Sequence, residues 1–133
     1  MARENPCSAR VRPHWESRRD DLETLFKLYW EDSEAYDDDL GNLYEYGLSF
    51  DYVTPETFTN QPQAYFRFQI SWGGPSDEIR FYVNPDLSMY RAEYWFLDWF
   101  DGAEINVTRE DVVRDLWNWF SECGLDHLME EAS

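Results

Sequence analysis

Between Glu31 and Asp51 the chain carries eight carboxylates and no basic side chain, in the run EDSEAYDDDLGNLYEYGLSFD, interleaved with Tyr36, Tyr44, Tyr46 and Phe50. Carboxylates this dense can hold a divalent cation, share a proton in catalysis, or present an array of negative charge to a basic surface. Spacing argues against the first. A calcium loop begun at Asp37 needs glycine at its sixth position and glutamate at its twelfth, and the chain has Asn42 and Leu48 there. The second has no anchor, because among 28 acidic residues no spacing singles out an acid and its partner. Display of charge is the chemistry that remains.

The other reactive side chains do not assemble into a reaction centre. His14 and His127 fall in terminal segments, Cys7 and Cys123 stand in neither a metal nor a redox spacing, and there is no G-x-S-x-G. Gly73-Gly74-Pro75 lacks a P-loop lysine and is followed by Ser76 and Asp77, whose charge repels phosphate, so it reads as a hairpin turn. The sequence therefore assigns no catalytic residue, no metal ligands and no cofactor, and it points away from an enzyme.

Charge then limits the partner. The net charge of −17 conceals an asymmetry: residues 1–19 hold five Arg against two Glu, whereas residues 20–133 hold 6 basic against 26 acidic residues, a net −20. Duplex DNA carries one charge per about 1.7 Å of axis, so twenty negatives match about 34 Å of duplex. A compact chain of this length is about 35 Å across. Such a body repels nucleic acid and attracts proteins that bind it. Tyr90, Tyr94, Trp95, Phe96, Trp99 and Phe100 offer rings for base stacking, but only Arg91 among them is basic, so most of these rings read as core, with one or two of Trp95, Trp99 and Tyr82 exposed.

The elements that position the acidic run follow from periodicity. Residues 1–14, with Pro6, Pro13 and three arginines, read as a disordered Arg-containing tail, and residues 15–133 as one acidic α+β domain. Leu22, Leu25, Phe26 and Tyr29 mark a helix from Arg18 to about Ala35 with Ser17 as its N-cap. Glu31, Asp32 and Glu34 crowd its last turn, where the helix dipole disfavours anions. A turn at Gly41 leads to a short helix over residues 40–46 and a candidate strand, Leu48 to Val53, ended by Pro55. Alternation then places strands at Phe66–Trp72 and Ile79–Val83 around the GGPSD turn, a long aromatic strand at Tyr90–Phe100, a turn at Asp101-Gly102 and a short strand at Glu104–Val107. The economical topology is a four-stranded antiparallel meander packed against N-terminal and C-terminal helices, the last running from Thr108 to Cys123, with at most a helical turn beyond. No stretch approaches the roughly 20 apolar residues that span a bilayer, and no apolar run follows the early arginines, which together read as a cytoplasmic protein without membrane contact.

The candidate partner-binding residues are Glu31, Asp32, Glu34, Asp37, Asp38, Asp39, Tyr44, Glu45, Tyr46 and Asp51: carboxylates for Arg and Lys that otherwise hold phosphate, and tyrosines for contact area that survives salt. In size, acidity and aromatic content, carried by YWEDSEAYDDDLGNLYEYG and EYWFLDWFDGAEINV, the chain resembles the small DNA-mimicking anti-restriction and anti-CRISPR inhibitors of mobile genetic elements. The resemblance implies inhibition of a bacterial defence complex at its basic nucleic-acid-binding surface. It transfers no residue roles, because those proteins share no single fold, and the N-terminal arginines depart from their pattern. An immunity protein against a basic nuclease toxin, or an acidic adaptor, fits the same surface.

Overall fold

The computed structural model describes residues 6–122 and 124–132. Its elements run α1 (Cys7–Glu31), α2 (Leu43–Tyr46), β1 (Ser49–Val53), β2 (Tyr65–Ser71), β3 (Ser76–Val83), β4 (Met89–Asp98), β5 (Asp101–Asn106), α3 (Asp111–Ser121) and α4 (Leu125–Ala132). The class is α+β, with helices at both ends of the chain and one antiparallel sheet between them.

The sheet has five strands, in the order β1-β2-β3-β4-β5, which corrects the four-stranded meander. The added strand is β1, whose residues pair with β2 from Ser49 opposite Gln69 to Val53 opposite Tyr65. It is short and lies at the sheet edge, and Phe50 and Tyr52, its two core-facing rings, are only partly buried, so its alternation in the sequence is weak.

The helices cover one face of the sheet. Phe66, Phe68, Ile79, Phe81, Ala92, Tyr94 and Phe96 point into that core and meet Trp15, Leu22, Leu25 and Phe26 of α1 and Val113, Leu116, Trp117 and Phe120 of α3. Phe50 and Phe120 stack at 3.9 Å, and Trp117 lies 5.2 Å from Phe81 and 5.3 Å from Phe66. The opposite face is built from Arg–aromatic layers. Arg80 lies 3.9 Å from Trp95 and 4.7 Å from Tyr65, and Arg91 lies 4.1 Å from Tyr82.

Helix α1 begins at Cys7, so residues 7–14 are helical and the disordered-tail reading is corrected there; residues 1–5 lie outside the described residues. Pro13 had suggested a break. Yet Cys7, Val11 and Trp15 repeat every four residues on the buried stripe, while Pro13 itself is exposed. The N-terminal turn is tied to β5 and β4: the Cys7 backbone N–H donates to Asp101 at 2.8 Å, and Arg10 donates to Asp98 at 2.7 Å. Burial, and then Asp101, push the Cys7 thiol above its ordinary pKa. The helix also ends at Glu31, short of Ala35.

Three further boundaries move. The turn between β4 and β5 is Trp99-Phe100, not Asp101-Gly102, because Asp98 pairs with Asp101. Both rings are thereby solvent-exposed, and Trp99 takes a left-handed φ of 56°. Ser76 and Asp77 are buried at the start of β3, beside Glu78, instead of forming the preceding turn. Helix α3 is capped at Glu110, since the Thr108 hydroxyl oxygen accepts from the Ala92 backbone N–H, and α4 is a full eight-residue helix. Cys123 lies outside the described residues. Among the described residues, no helix is long and apolar enough to cross a membrane.

Candidate protein-docking surface

At the C-terminal end of α1, an aromatic cluster reaches the surface. Phe26, Tyr29 and Trp30 come from α1, Tyr44 from α2 and Trp119 from α3. Tyr29, Tyr44 and Trp119 meet edge to face in all three pairs, at 5.3–6.3 Å between centroids, a geometry in which the positive edge of one ring faces the negative face of another. Phe26 is buried beneath them, whereas Trp30 is 65% and Tyr44 60% exposed. Helix α2 is held in place by its buried Leu43 and by Asn42, whose Oδ1 accepts the Glu45 backbone N–H at 3.0 Å.

Carboxylates accompany these aromatics, some in the sequence and two in the same hollow. Glu31, Asp32 and Glu34 follow Trp30 and are exposed, Glu45 stands beside Tyr44 and is exposed, and Asp115 and Glu122 of α3 line the same hollow as Tyr29, Trp30 and Trp119. Burial, followed by repulsion from Asp111 one turn earlier, raises the Asp115 carboxyl above its ordinary pKa. No basic side chain lines that hollow.

The ten sequence-predicted residues divide into three groups. Glu31, Asp32, Glu34, Asp38, Asp39, Tyr44 and Glu45 are exposed and lie on α1, on α2 or on the turn between them. Asp37 shapes that turn: its Oδ1 accepts from the backbone N–H groups of Asp39 and Leu40, and its backbone bridges to Gly41, which sits at φ +79° where a side chain would be strained. Tyr46 and Asp51 are engaged within the protein. The Tyr46 hydroxyl donates to Asp21 at 2.6 Å and accepts from Arg18 at 3.1 Å, and burial raises its pKa. Asp51 lies on β1 and accepts two hydrogen bonds from Arg67, at 3.1 and 2.8 Å.

Sequence reasoning missed Trp30, Asp115, Trp119 and Glu122 as parts of this surface. Trp30 has a signal, four residues beyond Phe26 and next to the acidic run, but α3 is far away in sequence and only packing brings it alongside. Among the described residues, no group of three or more His, Cys, Asp and Glu side chains could hold a metal ion. The arrangement offers binding area and charge. Comparison with family models, with curated proteins and with solved structures finds no match.

Proposed function

We propose that this protein is an inhibitor that docks on the basic nucleic-acid-binding surface of a bacterial DNA-targeting defence complex, of the restriction or CRISPR kind, and competes there with DNA. The observation that carries the reading is the exposure of Trp30 in a hollow lined by Asp115 and Glu122, and of Tyr44 in the acidic segment that follows α1. Single exposed rings are ordinary, but Trp30 and Tyr44 belong to one connected aromatic cluster with Phe26 and Trp119, and interfaces concentrate their binding energy in such clusters. The carboxylates supply the complementary half: they speed encounter with a basic groove and take the place of phosphates on its arginines and lysines. Five of the body's arginines, Arg10, Arg18, Arg67, Arg80 and Arg91, are ion-paired within the fold, and the exposed Arg12, Arg109 and Arg114 are outnumbered by exposed acids. The reading places the protein in the bacterial cytoplasm, with its target.

The test is affinity capture on the tagged protein from a nuclease-treated bacterial lysate, with and without added duplex DNA, read by mass spectrometry. Recovery of a restriction or CRISPR complex that DNA displaces supports the reading. Recovery of a single partner that DNA does not displace contradicts it. Charge reversal at Glu34, Asp38 and Asp39, chosen to spare the turn-forming Asp37, should slow association by about tenfold or more at low salt and matter little at high salt.

A further inference from the structure

A groove of about 480 Å³ runs between α1 and α3 and joins the aromatic surface at Phe26, Trp30 and Asp115. Its size lies within the range of about 300–1,000 Å³ typical of ligand pockets. One wall is apolar, made by Phe26 and by Trp30, which is 65% exposed; the α3 wall carries Asp111 and Asp115. These two carboxylates are four residues apart on one helix, so their Cβ atoms are separated by about 5–6 Å. The groove's only cation, Lys27, faces four carboxylates, the other two being Glu23 and Glu110.

We propose that this groove receives an arginine side chain of the partner protein, its guanidinium plane against the Trp30 ring and its N–H groups on Asp115 and Asp111. Charge complementarity favours a cation, since the lining stays net negative by two once the Arg19–Glu23 pair at 3.5 Å is counted. The pairing of an aromatic wall with a carboxylate wall selects the kind of cation. A guanidinium is planar and weakly hydrated, stacks flat on an indole and donates in a fork to carboxylates, whereas an ammonium, though also drawn to a ring face, is compact, more strongly hydrated and cannot stack or fork. The exposed acids of the α1–α2 turn accept any cation, so the groove is where an arginine-rich surface is told from a lysine-rich one. This inference rests on the docking reading, naming the side chain that this surface takes.

The site also carries the mark of a group kept against local stability. Asp115 is partly buried beside Asp111, which disfavours its charge until a cation arrives.

Two-dimensional NMR on the isotope-labelled full chain, titrated with N-acetyl-arginine methylamide and with the lysine and citrulline counterparts, tests the proposal without a defence complex. Arginine should give saturable shifts at the Trp30 indole N–H and at the Val112 and Asp115 amides. Lysine should bind about tenfold more weakly and citrulline, which is uncharged, not measurably. Asp115→Asn should abolish the arginine shifts while raising stability at neutral pH, a pair of effects that simple unfolding cannot produce. Equal response to lysine, or unsaturable shifts spread over all acidic surfaces, overturns it. So does self-association that Trp30→Ala removes, which would assign the groove to a second copy of the chain. If the arginine probe binds but capture yields no DNA-displaced complex, the docking reading fails alone; the reverse pattern refutes the groove alone.

Discussion

Arg18 Nε lies 2.7 Å from Asp77 Oδ2, joining the middle of α1 to the start of β3 across 59 positions of chain. A second guanidinium nitrogen reaches Asp77 Oδ1 at 3.2 Å, and the hydroxyls of Ser71 and Tyr94 also donate to this carboxylate, which is 3% exposed. Arg18 in turn reaches Tyr46, so one cation ties α1, α2 and the sheet together.

Removing that cation leaves a buried carboxylate without a countercharge. Arg18→Ala should cost about 3 kcal/mol, near the lower end for a broken buried pair because the Arg18 side chain is partly exposed. Arg18→Lys should recover only part of this, since an ammonium cannot reproduce the two-pronged contact. Urea denaturation measures both, and a loss under about 1 kcal/mol for Arg18→Ala would show the pair to be solvated.

Alkaline pH should unfold the protein through its tyrosines. Burial pushes Tyr65 from its ordinary pKa of 10.0 up to about 12 and also raises Tyr46, Tyr82 and Tyr94. Each phenol stays neutral in the folded state at a pH where the unfolded chain has begun to ionise. Their contribution is therefore complete below pH 10.0 and is lost as pH rises toward the folded values. The phenolate absorbance of these four among the nine tyrosines should then appear together with loss of the folded far-ultraviolet signal, in one cooperative step. Ionisation of all nine with the fold intact would contradict this.

Trp99 occupies the first position of a two-residue hairpin turn at φ 56°, a conformation that suits glycine, and its ring is 88% exposed. Left-handed backbone costs a non-glycine residue roughly 1–2 kcal/mol, and nothing of that size is returned by packing. Trp99→Gly should thus stabilise the fold by about 1 kcal/mol once the greater flexibility of glycine in the unfolded chain is deducted. Thermal unfolding reads the sign, and a destabilised variant would show that the indole makes contacts worth more than the strain.

The sheet was largely legible because Phe66, Phe68 and Ile70 alternate with polar neighbours and Ile79, Phe81 and Val83 do the same. Where the reading slipped, tertiary contacts overrode a local signal. Pro13 suggested an end to order, but Cys7 and Val11 are buried on the sheet side of α1. Asp101-Gly102 has turn chemistry, yet the pairing of Asp98 with Asp101 makes Trp99-Phe100 the turn. At the candidate surface, composition alone points to acids that are indeed exposed, such as Glu31, Asp32 and Glu34. Tyr44 and Tyr46 could not be told apart, two residues apart in one run, because only the fold sets Arg18 and Asp21 beside Tyr46. The groove was invisible for the same reason: its walls come from helices that pack side by side but are separated in sequence by all five strands.

Helix α1 also carries its charges in the order that helices ordinarily avoid. Arg10, Arg12, Arg18 and Arg19 lie in its first half, Glu31 closes it, and Asp32 and Glu34 follow, with no acid in its first turn and no base in its last. With Arg10 and Arg18 ion-paired inside the fold, the exposed Arg12 near the start and Glu31, Asp32 and Glu34 at the end add to the peptide dipoles along an axis about 38 Å long, where the usual arrangement has them oppose. Helix α1 is thus a dipole set within an anionic body. On the docking proposal, a basic groove would draw the Trp30 end of that helix inward before any atoms touch.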